Sequence, residues 1–322
     1  MSTKPIIIIS GEPYGVFNEI FFKIKKKYRF KKPIILIGSK EIILKQMKQF
    51  KLNFDLNLID HKILNLNKIK KVSSTSINLI DVNLPLKKDR ASKKVIRNYI
   101  ENCFKIGSKI ILDNECAGLI NGPINKKTFL NFTYPGVTEY LADKFNVRNY
   151  AMLIYNKKLS VCPITTHLPL KNVHKHISKR KIIDKITLVN NFYKKMFKKK
   201  PRMAITGLNP HCESPIKNAE EKKFIKPAIE SLKKSKIFLK GPLSTDTLFM
   251  KSELKKFDII IGMYHDQVLT PMKALYGFDA INLTLGLPFL RVSPDHGPNE
   301  KMFGKNLSNP YSLLQAIKFL DN

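Results

Sequence analysis

Arg202-Met203-Ala204-Ile205-Thr206-Gly207-Leu208-Asn209-Pro210-His211 is the stretch that decides how this chain folds. Residues 202–206 carry a short, mostly apolar strand signal. They run straight into Gly-Leu-Asn-Pro, a turn composition, and a histidine closes the turn. A buried strand that hands over a polar side chain at its C-terminal end is the local unit of an open α/β sheet, in which ligands gather along that edge.

The unit recurs outward in both directions. Toward the C-terminus, helical spacing over 219–234 precedes a strand at 237–240. A helix over 245–256 then precedes a strand at 258–262, which leads into Tyr264-His265-Asp266-Gln267. Toward the N-terminus, 181–199 reads as an amphipathic helix, and the apolar runs 150–155 and 159–163 flank Asn156-Lys157-Lys158 as a hairpin. At the start of the chain, strand signals at 4–10 and 33–38 alternate with helical patterns at 17–28 and 41–50. A further strand at 117–121 ends at Gly122-Pro123. The segment 51–94 is polar and reads as loops and weak elements, and 311–320 reads as a helix returning to the first domain. Alternation of this kind predicts an α/β protein with a mostly parallel sheet. The first strand is not followed by a Gly-x-Gly-x-x-Gly turn, and the chain has no P-loop, so a standard Rossmann domain is not expected.

Composition bounds the function classes. The chain has 322 residues, 43% of them hydrophobic, enough to fill one large or two ordinary cores. No apolar run approaches a membrane span, and the first residues lack the apolar stretch of a signal peptide. The four cysteines form no Cys-x-x-Cys pair, consistent with reduced thiols and a cytoplasmic location. The net charge is +33, but only seven of the 58 basic residues are arginine. Readers of nucleic acid favour arginine for bidentate contacts. Lysine spread along the chain beside abundant Ile and Asn is what an A+T-rich genome would encode, so no specific nucleic-acid partner is expected. The surrounding positive field favours anionic substrates.

Three histidines sit in loop compositions: Thr165-Thr166-His167-Leu168-Pro169, Gly207-Leu208-Asn209-Pro210-His211 and Tyr264-His265-Asp266-Gln267. Imidazole is the commonest metal ligand, and three protein ligands with one open position is the plan of a catalytic zinc site. A lone loop histidine is more often a hydrogen-bonding side chain, and the spacing of these three decides nothing.

The words around them carry more. Gly11-Glu12-Pro13, Gly122-Pro123-Ile124-Asn125-Lys126, Asp246-Thr247-Leu248-Phe249 and the run from Asn282 to Gly297 (Asn-Leu-Thr-Leu-Gly-Leu-Pro-Phe-Leu-Arg-Val-Ser-Pro-Asp-His-Gly) occur in order with the three histidine segments. Together they resemble the 4-hydroxythreonine-4-phosphate dehydrogenase family of vitamin B6 biosynthesis, from about residue 5 to the C-terminus. The resemblance implies the fold of the isocitrate and isopropylmalate dehydrogenases, two α/β domains with a cleft between them. Residues 1–135 with about 300–322 would form the first domain, and 136–299 the second. It implies a homodimer with a shared active site, NAD or NADP as cofactor, and a divalent metal (zinc, with magnesium or cobalt as alternatives).

Residue by residue, the resemblance gives His167, His211 and His265 as metal ligands, His265 coming from the partner subunit. Thr138, Lys273, Asn282 and Arg291 match substrate-binding positions, and Asp295, His296 and Gly297 match the cofactor-side loop. Asp246 and Lys273 are the candidate catalytic groups. The residues alone leave other readings open: Asp246 as a helix cap, Lys273 as one surface lysine among many, His296 as a structural histidine. The sequence also departs from the family. Val137 stands where a substrate-contacting histidine is usual. The loop after His211 (Cys212-Glu213-Ser214-Pro215-Ile216) is one residue short, and Pro298 and Asn299 replace Thr and Ala. The implied activity is metal-assisted oxidation of 4-phosphohydroxy-L-threonine to 2-amino-3-oxo-4-phosphooxybutanoate, which decarboxylates to 3-amino-2-oxopropyl phosphate. The alternatives are a dehydrogenase for a related four-carbon acid such as threonate or erythronate 4-phosphate, or a non-catalytic relative.

Overall fold

The computed structural model describes residues 4–60, 75–86, 90–131, 133–214, 219–277 and 279–322. Pro215 and Ile216 of the loop after His211, and 61–74 and 87–89 of the segment expected to be irregular, lie outside the described residues. The chain divides into two compact units, Met1–Tyr140 with Pro288–Asn322, and Leu141–Leu287. Residues 288–299, expected in the second domain, fall in the first unit, because a strand there pairs with a strand of that unit.

In chain order the first unit runs β1 (Ile6–Ile9), α1 (Phe17–Lys27), β2 (Ile34–Gly38), α2 (Lys40–Gln49), β3 (Leu56–Leu58), β4 (Ile77–Asp81), α3 (Lys93–Asp113), β5 (Gly118–Asn121) and α4 (Lys126–Leu130). Helix α5 (Val137–Lys144) leads into the second unit. That unit runs β6 (Ala151–Tyr155), β7 (Ser160–Thr165), α6 (Lys179–Phe197), β8 (Met203–Thr206), α7 (Lys226–Lys234), β9 (Leu239–Leu243), α8 (Thr245–Leu248), α9 (Lys251–Leu254), β10 (Ile259–Tyr264), α10 (His265–Tyr276) and β11 (Ile281–Leu285). The chain then returns to the first unit as β12 (Arg291–Pro294) and α11 (Tyr311–Asp321).

The strands of the first unit lie in the order β3-β4-β2-β1-β5-β12, and their pairings are parallel. Ile6, Ile7, Ile8 and Ile9 are all fully buried. A run of β-branched residues without alternation is what a parallel strand covered on both faces requires. Helix α3 covers one face closely at Gly107, where a Cβ would stand 3.0 Å from Cδ1 of Ile9. The Tyr99 hydroxyl, also on α3, accepts from the Ser39 amide (3.0 Å) and bonds Ser10 Oγ (3.2 Å), pinning the helix to the ends of β1 and β2.

The segment 51–94 is more ordered than its polarity suggests, since it contains β3, β4 and the start of α3. Asn78 breaks the apolar pattern of β4 yet is buried there. Its amide donates to Ile34 O (3.1 Å), and its Oδ1 accepts from Asn57 Nδ2 (2.9 Å), so the desolvated group is satisfied.

In the second unit the order is β11-β6-β7-β10-β8-β9. The expected hairpin is present: β6 pairs antiparallel with β7, and β11 is antiparallel to β6. Strands β7, β10, β8 and β9 are mutually parallel, so their C-terminal ends share one edge. The single helix expected over 245–256 is instead two short helices, because Met250 adopts an extended conformation (φ −66°, ψ 145°) between them. Among the described residues, no helix is long and apolar enough to cross a membrane.

The opposite edge of this sheet is clamped by Asp258, just before β10. Its carboxylate accepts from the Arg202 amide (2.8 Å), Arg202 Nε (3.3 Å) and Nη2 (3.1 Å), and Lys199 Nζ (2.9 Å). Burial would raise its pKa, but the Arg202 bonds outweigh that and hold it at about 2, below the usual 3.8. A carboxylate depressed in the folded state contributes stability above its unfolded pKa and loses it as pH falls. Asp258→Asn is therefore expected to be less stable than the parent at pH 7, the difference shrinking between pH 3.8 and about 2. Urea unfolding of both proteins across that window checks it; a constant difference would contradict it.

Candidate functional site

The shared edge of β7, β10, β8 and β9 carries the expected metal ligands. His167 lies two residues beyond β7, His211 lies in the turn after β8, and His265 opens α10 directly after β10. The His167 and His265 rings are 5.6 Å apart between centroids, inclined at 37°. Thr165 Oγ1 donates to Met263 O (2.8 Å) and ties the two supporting strand ends together. One chain thus brings these two imidazoles side by side. His211 is not drawn into the pair. Among the described residues, no three His, Cys, Asp or Glu side chains form a group that could hold a metal ion.

His167 (φ 52°) and His211 (φ 54°) both adopt left-handed backbone conformations. For a residue with a Cβ this costs on the order of 1–2 kcal/mol, and such outliers gather at functional sites. Glu221 holds the His211 turn. Its carboxylate accepts from the amides of Leu208 (2.7 Å) and Asn209 (2.8 Å) and from Asn209 Nδ2 (2.9 Å). Burial would raise its pKa, but these donors together lower it. The turn needs Gly207, since a Cβ there would stand 2.8 Å from Cys212 Sγ and 3.0 Å from Glu221 Oε1.

Asp246, in α8, accepts from Ser244 Oγ (2.5 Å) and from the Thr247 amide (2.8 Å). The Ser244 bond is the main reason its pKa lies below the usual carboxylate value, and the charge of His211 adds to the effect. Asp246 is not the helix cap, which is Ser244; it lies in the first turn of α8, just after β9, at the sheet edge that carries the candidate ligands.

The expected substrate contacts divide between the units. In the first, Arg291 at the start of β12 is only 3% exposed. Its Nε donates to Asn121 Oδ1 (2.7 Å) and its Nη1 to Thr138 Oγ1 (3.2 Å). Burial lowers its pKa to about 10, with Glu139 acting the other way. Thr138 and Arg291 are therefore brought together, and Val137 begins the helix that carries Thr138. In the second unit, Asn282 lies in β11 with its Oδ1 buried and without a hydrogen bond among the described residues. Lys273 lies exposed on α10.

The candidate cofactor loop follows β12. The Asp295 amide donates to Ser312 Oγ (2.7 Å), and His296 Nδ1 lies 3.0 Å from Gly297 O. Beyond it, Pro298 O accepts from the Val16 amide (3.0 Å), and Glu300 accepts from Asn125 Nδ2 (2.8 Å). These contacts dock the loop on the turn after β1. That turn requires Gly11 (φ 77°), because a Cβ there would collide with the backbone of Gly122 and Pro123.

Glu12, within that turn, is 5% exposed. Burial pushes its pKa up to about 7, the Asn125 amide opposes this, and Glu300 reinforces it. A carboxyl raised in the folded state contributes stability below its unfolded pKa that is lost as pH rises through the folded one. Glu12→Gln is expected to remove a fall in stability between pH 4.5 and about 7. At pH 8 the variant should be the more stable, by on the order of 1–3 kcal/mol. Melting temperatures across that range decide it, and parallel pH profiles for the two proteins would contradict it.

Glu12, Asn121, Glu221 and Gln267 are the site neighbours that sequence reasoning did not single out. Glu12 and Gln267 stood inside quoted motifs, but their roles depend on partners far along the chain.

Comparison with known proteins follows the same lines. A family model described as pyridoxal phosphate biosynthetic protein PdxA matches residues 29–320. A 4-hydroxythreonine-4-phosphate dehydrogenase from Sulfurihydrogenibium sp. is 38% identical over 322 residues, covering 97% of this chain and 96% of the relative. A D-threonate 4-phosphate dehydrogenase from Salmonella typhimurium is 30% identical, covering 99% of this chain and 98% of the relative. A crystal structure of 4-hydroxythreonine-4-phosphate dehydrogenase from Klebsiella pneumoniae superposes with a TM-score of 0.84 at 27% identity, covering 99% and 98% of the two chains.

Proposed function

The chain belongs to the family of the pyridoxal phosphate biosynthetic protein PdxA, and we propose that it oxidises 4-phosphohydroxy-L-threonine at C3, with NAD or NADP as hydride acceptor and a bound divalent ion. The observation that carries this reading is the pair of imidazoles, His167 and His265, set 5.6 Å apart on neighbouring strand ends. The donor chemistry fits such an ion: three histidines on one sheet edge, two of them side by side, with two of the three in left-handed backbone. His167, His211 and His265 would hold it where two copies share the site, since the described residues of one chain do not gather the three into one group. When bound, it supplies Lewis acidity at the C3 oxygen as negative charge develops there.

The chain's own groups do the rest. Arg291 and Lys273 bind the phosphate and carboxylate of the substrate, charges suited to a guanidinium and an ammonium. Thr138 fixes the guanidinium, and Asn282 offers a buried carboxamide oxygen to a donor on the substrate. Asp246, kept ionised by Ser244 and Thr247, takes the hydroxyl proton while hydride leaves C3, and the Lys273 ammonium is the candidate donor of the proton taken up after decarboxylation. The β-keto acid so formed, 2-amino-3-oxo-4-phosphooxybutanoate, loses CO2 from its carboxylate. Protonation of the carbon left behind gives 3-amino-2-oxopropyl phosphate. Asp295, His296 and Gly297 line the cofactor side, and two copies assemble around a shared site in the cytoplasm.

Val137, in place of a histidine, and the likeness to a D-threonate 4-phosphate dehydrogenase favour one second reading, oxidation of that related acid. Initial rates with each compound separate the two. The leading reading expects a higher kcat/KM with 4-phosphohydroxy-L-threonine, and a preference for the threonate would replace it.

A further inference from the structure

Gln267 is the third residue of α10 and is 9% exposed. Its carboxamide makes four hydrogen bonds to three strand ends. Oε1 accepts from the Met263 amide (2.6 Å) on β10 and from Thr206 Oγ1 (2.9 Å) on β8. Nε2 donates to Gly207 O (2.8 Å), which opens the His211 turn, and to Thr245 Oγ1 (3.1 Å), which follows β9. A glutamine at this helical position commonly reaches back to an amide near the helix start. Here the same oxygen also holds the end of β8, and the nitrogen holds that end again at Gly207 and one further segment at Thr245. The amide can donate two hydrogen bonds and accept two, and all four are used.

Each of the three segments carries one candidate group of the site: His265 after β10, His211 after β8, and Asp246 after β9. Among the described residues, Gln267 hydrogen-bonds none of them. A buried network satisfied in this way admits one arrangement of its members, since any other leaves a desolvated polar group unpaired. We infer that Gln267 is the positioning residue that sets His211 and Asp246 relative to His265. The inference rests on the proposed role of those histidines, but the restraint on the segments exists with or without an ion.

Two variants and a control test it on the full-length protein. Gln267→Met removes all four bonds at similar volume. Gln267→Glu keeps both accepted bonds, loses donation to Gly207 O, and serves if the first variant does not fold. The control, Tyr193→Phe, removes another buried bond of the same unit, that from Tyr193 to Ser160 Oγ (2.7 Å), away from the ligand edge. Hydrogen exchange is read without metal in segments 207–212 and 244–247. The expected result is exchange about tenfold faster there in Gln267→Met, intermediate in Gln267→Glu, and unchanged in Tyr193→Phe. Cobalt affinity, read by competition with a chromophoric chelator, should fall about 10- to 100-fold in Gln267→Met and stay at the parent value in the control. Unchanged exchange in Gln267→Met, or an equal rise in the control, overturns the inference. If the parent takes up no cobalt, the histidine assignment fails, and the exchange result still decides the role of Gln267.

Discussion

His211→Ala is expected to abolish metal-dependent turnover while leaving the fold in place. His211 is exposed, and its turn is held by Glu221 and Gln267, not by its own ring. Truncation therefore removes a donor without opening a cavity, and the stability change should stay within about 0.5 kcal/mol, as for surface sites in general. Relief of the left-handed backbone does not follow, because alanine at φ 54° keeps its Cβ. The chemical loss is large. Deleting a single group that stabilises developing negative charge costs about 10²–10³-fold in kcat, and a lost ligand also weakens the ion's hold. Steady-state kinetics with metal content and melting temperature measured on one preparation checks this. Full metal occupancy in the variant would remove His211 from the ligand set.

Arg291→Lys should be nearly as damaging for a different reason. The guanidinium donates through Nε to Asn121 and through Nη1 to Thr138 at once, in a buried setting. A lysine is a point charge and cannot serve both directions and a substrate anion. Loss of one hydrogen bond to a charged group costs about 1.5–3 kcal/mol, roughly 10- to 150-fold in kcat/KM. Arg291→Met, which leaves Asn121 Oδ1 without this donor, adds a stability loss of about 1–3 kcal/mol. Kinetics and urea unfolding of the two variants check it. A lysine variant with parent kcat/KM would mean that the buried arginine serves the fold alone.

The sequence made the parallel strands legible because they are plain: Ile6–Ile9 and Met203–Thr206 are short apolar runs stopped by glycine or polar turns. It was least legible where one residue contradicts its surroundings. Pro271 sits inside α10 and hides it; the helix persists because Val268, Leu269 and Met272 are buried. Arg291 and Asn282 make β12 and β11 look like loops, although both strands are largely buried. Of the candidate site, the adjacency of His167 and His265 follows from β7 and β10 being paired, a topological fact that no local pattern contains. Gln267 and Glu221 were invisible for the same reason: their partners come from other strands or from more than ten residues away.

The most direct test of the account is NADH formation by purified, metal-loaded protein given 4-phosphohydroxy-L-threonine and NAD, with and without a chelator. The account predicts turnover that the chelator stops and added zinc or cobalt restores. Turnover indifferent to the chelator would contradict the metal assignment. No turnover with the metal bound would contradict the substrate assignment.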